Sequence, residues 1–261
     1  VFVSNKYHMR YQQLLEGGNV FKDQQGVPLT RRITKDEIPP TVAWLERILR
    51  IPLRQNLIGS TGIKPDSGDI DIAVDSTLFD KQEIVDKLIA WCNKQNIPND
   101  QIRNTRTAKA KSGYKEGWIE VGGDIHFRVP IKGDPANGFA QADFMFTPDI
   151  EWSKFVHHSD PASKFKCVDR NVMINSMAKS MGLKLNMKSG IYDRSDNRLI
   201  SNDPDAVAKL LLNQQATRRN LDSVEHILLA LKNDPKADEK LADVRDDFAR
   251  RGMDLDSISL T

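Results

Sequence analysis

Three acidic residues carry the chemistry that this sequence offers. Asp69 and Asp71 sit in the run Asp69-Ile70-Asp71-Ile72-Ala73-Val74. A strand's period of two puts Asp69, Asp71 and Ala73 on one face and Ile70, Ile72 and Val74 on the other. Carboxylates two residues apart on a strand are roughly 7 Å apart at Cα, near enough for both to reach one cation. Without a cation they repel, and one tends to hold its proton. The run Ala140–Phe146 alternates in the same way, with Asp143 facing the same side as Gln141 and Met145. If the two strands are neighbours, three carboxylates converge. Three hard oxygen donors suit Mg²⁺ or Mn²⁺, and two such ions ~3.5–4 Å apart can stabilise the attacking and leaving oxygens of a phosphoryl transfer. Taken singly the acids say less: an Asp-x-Asp doublet also occurs on solvated strands, and a lone Asp on an exposed sheet face.

Small residues lead up to the doublet. Gly59-Ser60 forms a tight turn off a short apolar segment, and Ser67-Gly68 stands just before Asp69. Backbone N–H groups and hydroxyls of such loops approach an anion closely, which is how phosphates are cradled. Lys64, between the two pairs, is a cation placed to meet a phosphate. The plain alternatives are an ordinary turn and a solvated lysine. No Gly-Lys-Ser/Thr follows, so this is not a Walker-type loop.

The elements that must position these residues can be read from periodicity. Pro39-Pro40 opens a helix through Arg50 with Val42, Leu45, Ile48 and Leu49 on one face. Strands are expected at Gln55–Ile58 and Asp69–Val74, then a helix over residues 80–95 with Ile84, Leu88 and Cys92 inward. Residues 103–117 are basic and small, an exposed loop, followed by strands at Trp118–Val121, Asp124–Ile131 and Ala140–Phe146. After Thr147-Pro148 the β pattern stops. Helices fit residues 168–182, with Met173, Met177 and Met181 as a packing stripe and Gly182 as the stop, then Pro204–Leu212, Arg218–Leu231 and Lys236–Arg250. The expected fold class is α+β: a sheet with flanking helices, then a mainly helical carboxy-terminal part. The expected divisions are an amino-terminal arm and helix (1–52), a catalytic sheet domain (53–150) and a mainly helical substrate-binding domain (151–261).

The totals bound the rest. With 261 residues and a formal charge of +2, the chain is large enough for a real core and is not forced toward nucleic acid by its charge. Cys92 and Cys167 stand far apart, fitting reduced thiols better than a disulfide framework or a metal motif. No apolar run reaches the ~20 residues that span a bilayer, and the first residues are too polar for a secretion signal, so a cytoplasmic location is expected.

At this point the residues resemble a known family. A Gly-Ser turn, a short loop, Asp-x-Asp on one strand and a single Asp on a later strand look like the nucleotidyltransferase fold of the DNA polymerase beta superfamily. The run Ser67–Asp75 is similar to the form seen in family X polymerases. Residues 170–186 resemble the helix of their nucleotide-selecting subdomain, and residues 190–212 the close of that subdomain, so the likeness covers roughly residues 53–212. The resemblance implies that Asp69 and Asp71 bind both metal ions and that Asp143 holds the catalytic one and helps activate the attacking hydroxyl. It implies that Gly59, Ser60, Ser67 and Gly68 contact a triphosphate, with Lys64 near where the family often has Arg, and that Asn171 feels the incoming base. Where those polymerases set an Arg against the template, four residues after the Asn, this chain has Asn175, and no helix-hairpin-helix pattern is seen. These departures point away from templated gap filling and leave nucleotidyl transfer standing. The layout also resembles small nucleotidyltransferases of bacteriophages.

The implied partners are an NTP or dNTP and a nucleic-acid acceptor, DNA or RNA. Arg103, Arg106, Lys109, Lys111, Lys115, Arg128 and Lys132 outnumber the nearby acids and suit a phosphate backbone, or form a solvated loop. Tyr114 and Trp118 can stack on bases or pack at the rim, and Lys179, Lys184, Lys188, Arg194 and Arg198 make a second basic set. Other acceptors remain open: tRNA, a protein side chain or a small molecule. So does a non-catalytic binding module.

Overall fold

A computed structural model of the chain describes residues 20–22, 27–95, 103–104, 118–121 and 123–258. The basic run 105–117, Tyr114 included, lies outside them. The chain divides into two compact units, Val1–Thr147 and Pro148–Thr261. Among the described residues no helix is long and apolar enough to cross a membrane.

The first unit runs β1 (Phe21–Lys22), β2 (Ile33–Thr34), α1 (Ile38–Leu49), β3 (Asp66–Ser67), β4 (Asp69–Asp75), α2 (Lys81–Lys94), β5 (Arg103–Asn104), β6 (Trp118–Val121), β7 (Asp124–Pro130) and β8 (Phe139–Thr147). A mixed four-stranded sheet has the order β4-β8-β7-β6. Its β4–β8 pair is parallel and the other two pairs are antiparallel. Helix α1 starts on its prolines, whose missing N–H groups cost nothing in a first turn, and ends where Arg50 turns left-handed at φ 64°. Helix α2 starts at Asp80, whose carboxylate accepts the Glu83 N–H at 3.0 Å. Both lay apolar stripes against the sheet. Val42, Leu45 and Leu49 of α1 and Ile84, Leu88 and Cys92 of α2 share one core with Ile70, Ile72, Phe127 and Phe144. One sheet face is thereby sealed, and the acids stand on the other.

The expected strand at Gln55–Ile58 is instead a single 3-10 turn, Arg54–Asn56, followed by one bridge from Leu57 to Ile72. The Glu46 carboxylate is the cause. It accepts the N–H groups of Leu53 (2.8 Å) and Arg54 (3.0 Å) and curls the chain where a strand would extend it.

The second unit contains α3 (Ile150–Val156), α4 (Cys167–Ser180), β9 (Leu183–Asn186), β10 (Gly190–Asp193), β11 (Leu199–Ser201), α5 (Pro204–Leu211), α6 (Val224–Leu231) and α7 (Ala237–Arg250). It is mainly helical but carries a three-stranded antiparallel sheet, β11-β10-β9, where alternation shows no β run beyond residue 147 and the resemblance implies only a strand after the helix of residues 170–186. Strands of three or four residues are too short for alternation to show. The expected helix Arg218–Leu231 is broken as well. A 3-10 turn at Arg218–Leu221 ends, and Ser223 starts α6 by accepting the His226 N–H at 3.2 Å. Of the methionine stripe, Met173 and Met177 are buried in the helical core, while Met181 is exposed at the end of α4. Gly182 follows at φ +73°, the left-handed stop that its position predicts.

Candidate metal centre

Strand register brings the acids together. The parallel β4–β8 ladder sets Asp69 beside Gln141 and Asp71 beside Asp143. The antiparallel β7–β8 ladder sets His126 beside Asp143 and Arg128 beside Gln141. Residues directly opposite each other point to the same face. One row therefore reads Asp71, Asp143, His126 across three strands, and the next reads Asp69, Gln141, Arg128. Asp69, Asp71 and Asp143 each offer an oxygen within 4.8 Å of the others, the one cluster of this kind among the described residues.

The electrostatics show what this placement costs. Burial first, and then the charges of Asp69 and Asp143, push the Asp71 carboxyl well above the usual carboxylate range. Asp143 is buried, and its oxygens have partners. His126 Nδ1 lies 2.7 Å from Oδ1, and the Gln141 amide donates to Oδ1 at 2.9 Å and Oδ2 at 3.1 Å. Gln141 is oriented in turn, because its Oε1 accepts the Val20 N–H at 2.9 Å. Three convergent carboxylate oxygens, one of them desolvated, form a donor set that fits a hard divalent cation such as Mg²⁺ or Mn²⁺.

The Gly-Ser turn is laid directly on this cluster. Gly59 has φ +67°, and a Cβ built on it would stand 2.4 Å from Asp71 Oδ2. Only glycine fits both the backbone and the space. The Ile58 N–H donates to the Asp71 carbonyl at 3.0 Å, and the Asp71 N–H donates to Thr61 Oγ1 at 2.9 Å. These bonds lock the turn to β4.

The remaining predicted residues fall in different places. Ser60 is half-buried, and its carbonyl accepts the Ile63 N–H and the Ser67 hydroxyl. Ser67 itself is buried, with its hydroxyl turned into the loop. Gly68 is half-buried, and Lys64 is exposed. Asn171 lies in the second unit, on α4, where its amide donates to the Val156 carbonyl at 2.7 Å and its Oδ1 accepts from Arg170 at 3.0 Å. Arg128, counted above with the basic run, is a buried residue of β7 whose guanidinium lies 4.6 Å from the Phe139 ring centroid.

His126, Gln141 and Thr61 belong to the site and are absent from the residues singled out by sequence. The alternation Asp124-Ile125-His126-Phe127-Arg128 already puts His126 on the polar face of its strand. The signal that it meets Asp143 is the ladder register, which periodicity does not supply. Compared with protein-family models and with curated proteins, the chain matches none.

Proposed function

We propose that the chain is a metal-dependent nucleotidyltransferase of the polymerase beta type, moving a nucleoside monophosphate from an NTP or dNTP to a nucleic-acid 3′-hydroxyl. The observation that carries this reading is the pairing of Asp71 with Asp143 on adjacent parallel strands, with Asp69 on the same face. A binding module has no need to hold three mutually repelling acids together. The three carboxylates would hold Mg²⁺ or Mn²⁺, which when bound neutralises charge developing on the phosphate oxygens.

The chain's own groups supply position. The turn at Gly59-Ser60 sits against Asp71 and offers backbone N–H groups to the triphosphate, with Lys64 on the solvent side of the same loop. Asp143 orients the attacking hydroxyl and takes up its proton as the oxygen attacks. A bond forms from that oxygen to the α-phosphorus, the bond from the α-phosphorus to the bridging oxygen breaks, and pyrophosphate leaves. The resemblance assigns Asn171 to the base of the incoming nucleotide, and the phage-like layout fits a compact enzyme acting in a host cytoplasm.

The test is one incubation series with labelled NTPs or dNTPs and Mg²⁺ or Mn²⁺. Primed DNA, single-stranded DNA, tRNA and the protein alone are offered as acceptors. Label on a DNA or RNA 3′ end supports the proposal. Label on tRNA alone as a modification, on the protein or on a small molecule moves the acceptor, and no incorporation anywhere favours a binding module.

A further inference from the structure

Asp143 is the most enclosed of the three acids, and it is held from two sides. His126 reaches it from β7 at 2.7 Å, and Gln141 reaches both its oxygens from β8 at 2.9 and 3.1 Å. His126 is itself largely covered, with its side chain 12% exposed against 8% for Asp143. The imidazole nevertheless stands outside the ligand cluster, whose mutually close oxygens belong to Asp69, Asp71 and Asp143 alone among the described residues. A ring nitrogen that touches one ligand but does not join the set acts on that ligand's orientation.

We infer that His126 is a positioning residue that fixes the Asp143 carboxylate for metal binding through the close contact of its Nδ1 with Oδ1. The inference rests on reading the three acids as a metal site and adds a residue to it. A carboxylate oxygen only accepts, so the 2.7 Å contact holds the carboxylate when the proton is on Nδ1. The Gln141 amide works from the other side and is held the right way round. Turning it over would face its oxygen toward Asp143 and its NH₂ toward the Val20 N–H. With the Gln141 amide and the imidazole both in place the carboxylate plane has one setting. Without the imidazole, a desolvated carboxylate beside two like charges is free to turn away from them. A positioning partner of this kind is typically worth about 10- to 100-fold in metal affinity.

The test uses the full chain and Mn²⁺ alone. Mn²⁺ binding is read by electron paramagnetic resonance, next to thermal melting of each protein, for the wild type, His126→Leu and His126→Asn. The side-chain amide of the latter variant keeps a donor near the place of Nδ1. His126→Leu should weaken Mn²⁺ binding by about tenfold or more, while His126→Asn retains most of it. Equal affinity in wild type and a folded His126→Leu overturns the inference. Absence of Mn²⁺ binding by the wild type overturns the metal reading instead, so the two failures are distinct. A ¹⁵N–¹H spectrum of the wild-type imidazole decides the matter even if His126→Leu does not fold. A proton on Nδ1 supports the inference, and a bare Nδ1 overturns it.

Discussion

Gly59 and Asp71 approach so closely that any side chain on the first would occupy the space of the second's carboxylate. A Cβ at position 59 would lie 2.4 Å from Asp71 Oδ2, on a backbone with φ +67°. The turn and the acid are therefore one unit, and each variant below asks a different question of it.

Gly59→Ala should damage both stability and metal binding. The left-handed backbone and the clash together should cost about 1–3 kcal/mol, read by denaturant unfolding. Mn²⁺ affinity should fall with it, because Asp71 is the group that must move. Wild-type stability in this variant would mean that the turn does not sit as described.

Asp71→Asn should separate stability from activity. Burial and two neighbouring carboxylates work against the charged form of Asp71, so removing its charge should leave the metal-free protein as stable as the wild type or more so. Nucleotidyl transfer should vanish. Added Mg²⁺ should raise the melting temperature of the wild type in a concentration-dependent way, by about 2.7 kcal/mol of stability at a hundredfold excess over Kd, and should do so far less in the variant. A marked destabilisation of the metal-free variant would contradict the charge crowding.

Lys64→Ala tests the loop's contact with phosphate. The side chain is exposed, so stability should change by less than about 0.5 kcal/mol. KM for the nucleotide should rise several-fold with a smaller change in kcat. An unchanged KM would assign Lys64 to solvent.

Glu37 supplies a pH dependence unconnected with the acids of the sheet. Its carboxylate takes two hydrogen bonds from Arg31, at 2.7 and 2.9 Å, and a third from the Thr34 N–H at 3.1 Å. The Arg31 guanidinium, opposed by partial burial and helped by the Thr34 bond, brings the Glu37 carboxyl from an ordinary 4.5 down to about 2. A lowered carboxyl adds stability above its unfolded value, and that stability drains away as pH falls from 4.5 through about 2. Arg31 is nearly half exposed, so solvent screening limits the contribution to about 1 kcal/mol. Glu37→Gln should lose that amount at neutral pH and show a flatter acid-unfolding profile over the same window.

Much of the four-stranded sheet is legible in the sequence because its strands are long enough to alternate. The seven residues of β4 and the nine of β8 each show which face carries their acids. Helices α1, α2, α4, α5 and α7 follow from apolar periodicity, prolines and stops. The strands of the second unit, three or four residues each, carry no readable period. The turn at Arg54–Asn56 depends on a carboxylate, Glu46, that comes from the preceding helix. His126 escapes notice for a similar reason. Its residue type and strand face are local facts, while its meeting with Asp143 depends on a ladder between separate strands. Periodicity tells which way a side chain points, and tertiary register tells what it meets.

The parallel pairing of β4 with β8 also sets when the acidic cluster comes into being. Roughly 70 residues of chain separate Asp71 from Asp143, so closing that ladder carries a large loop entropy and depends on non-local contacts. The hairpin-like β7–β8 pair can form early, and it already joins His126 to Asp143. A partly folded chain thus holds Asp143 with its imidazole partner while the two acids of β4 are still elsewhere. Cation capture becomes a late event in folding, available only to a chain whose β4–β8 pairing is complete.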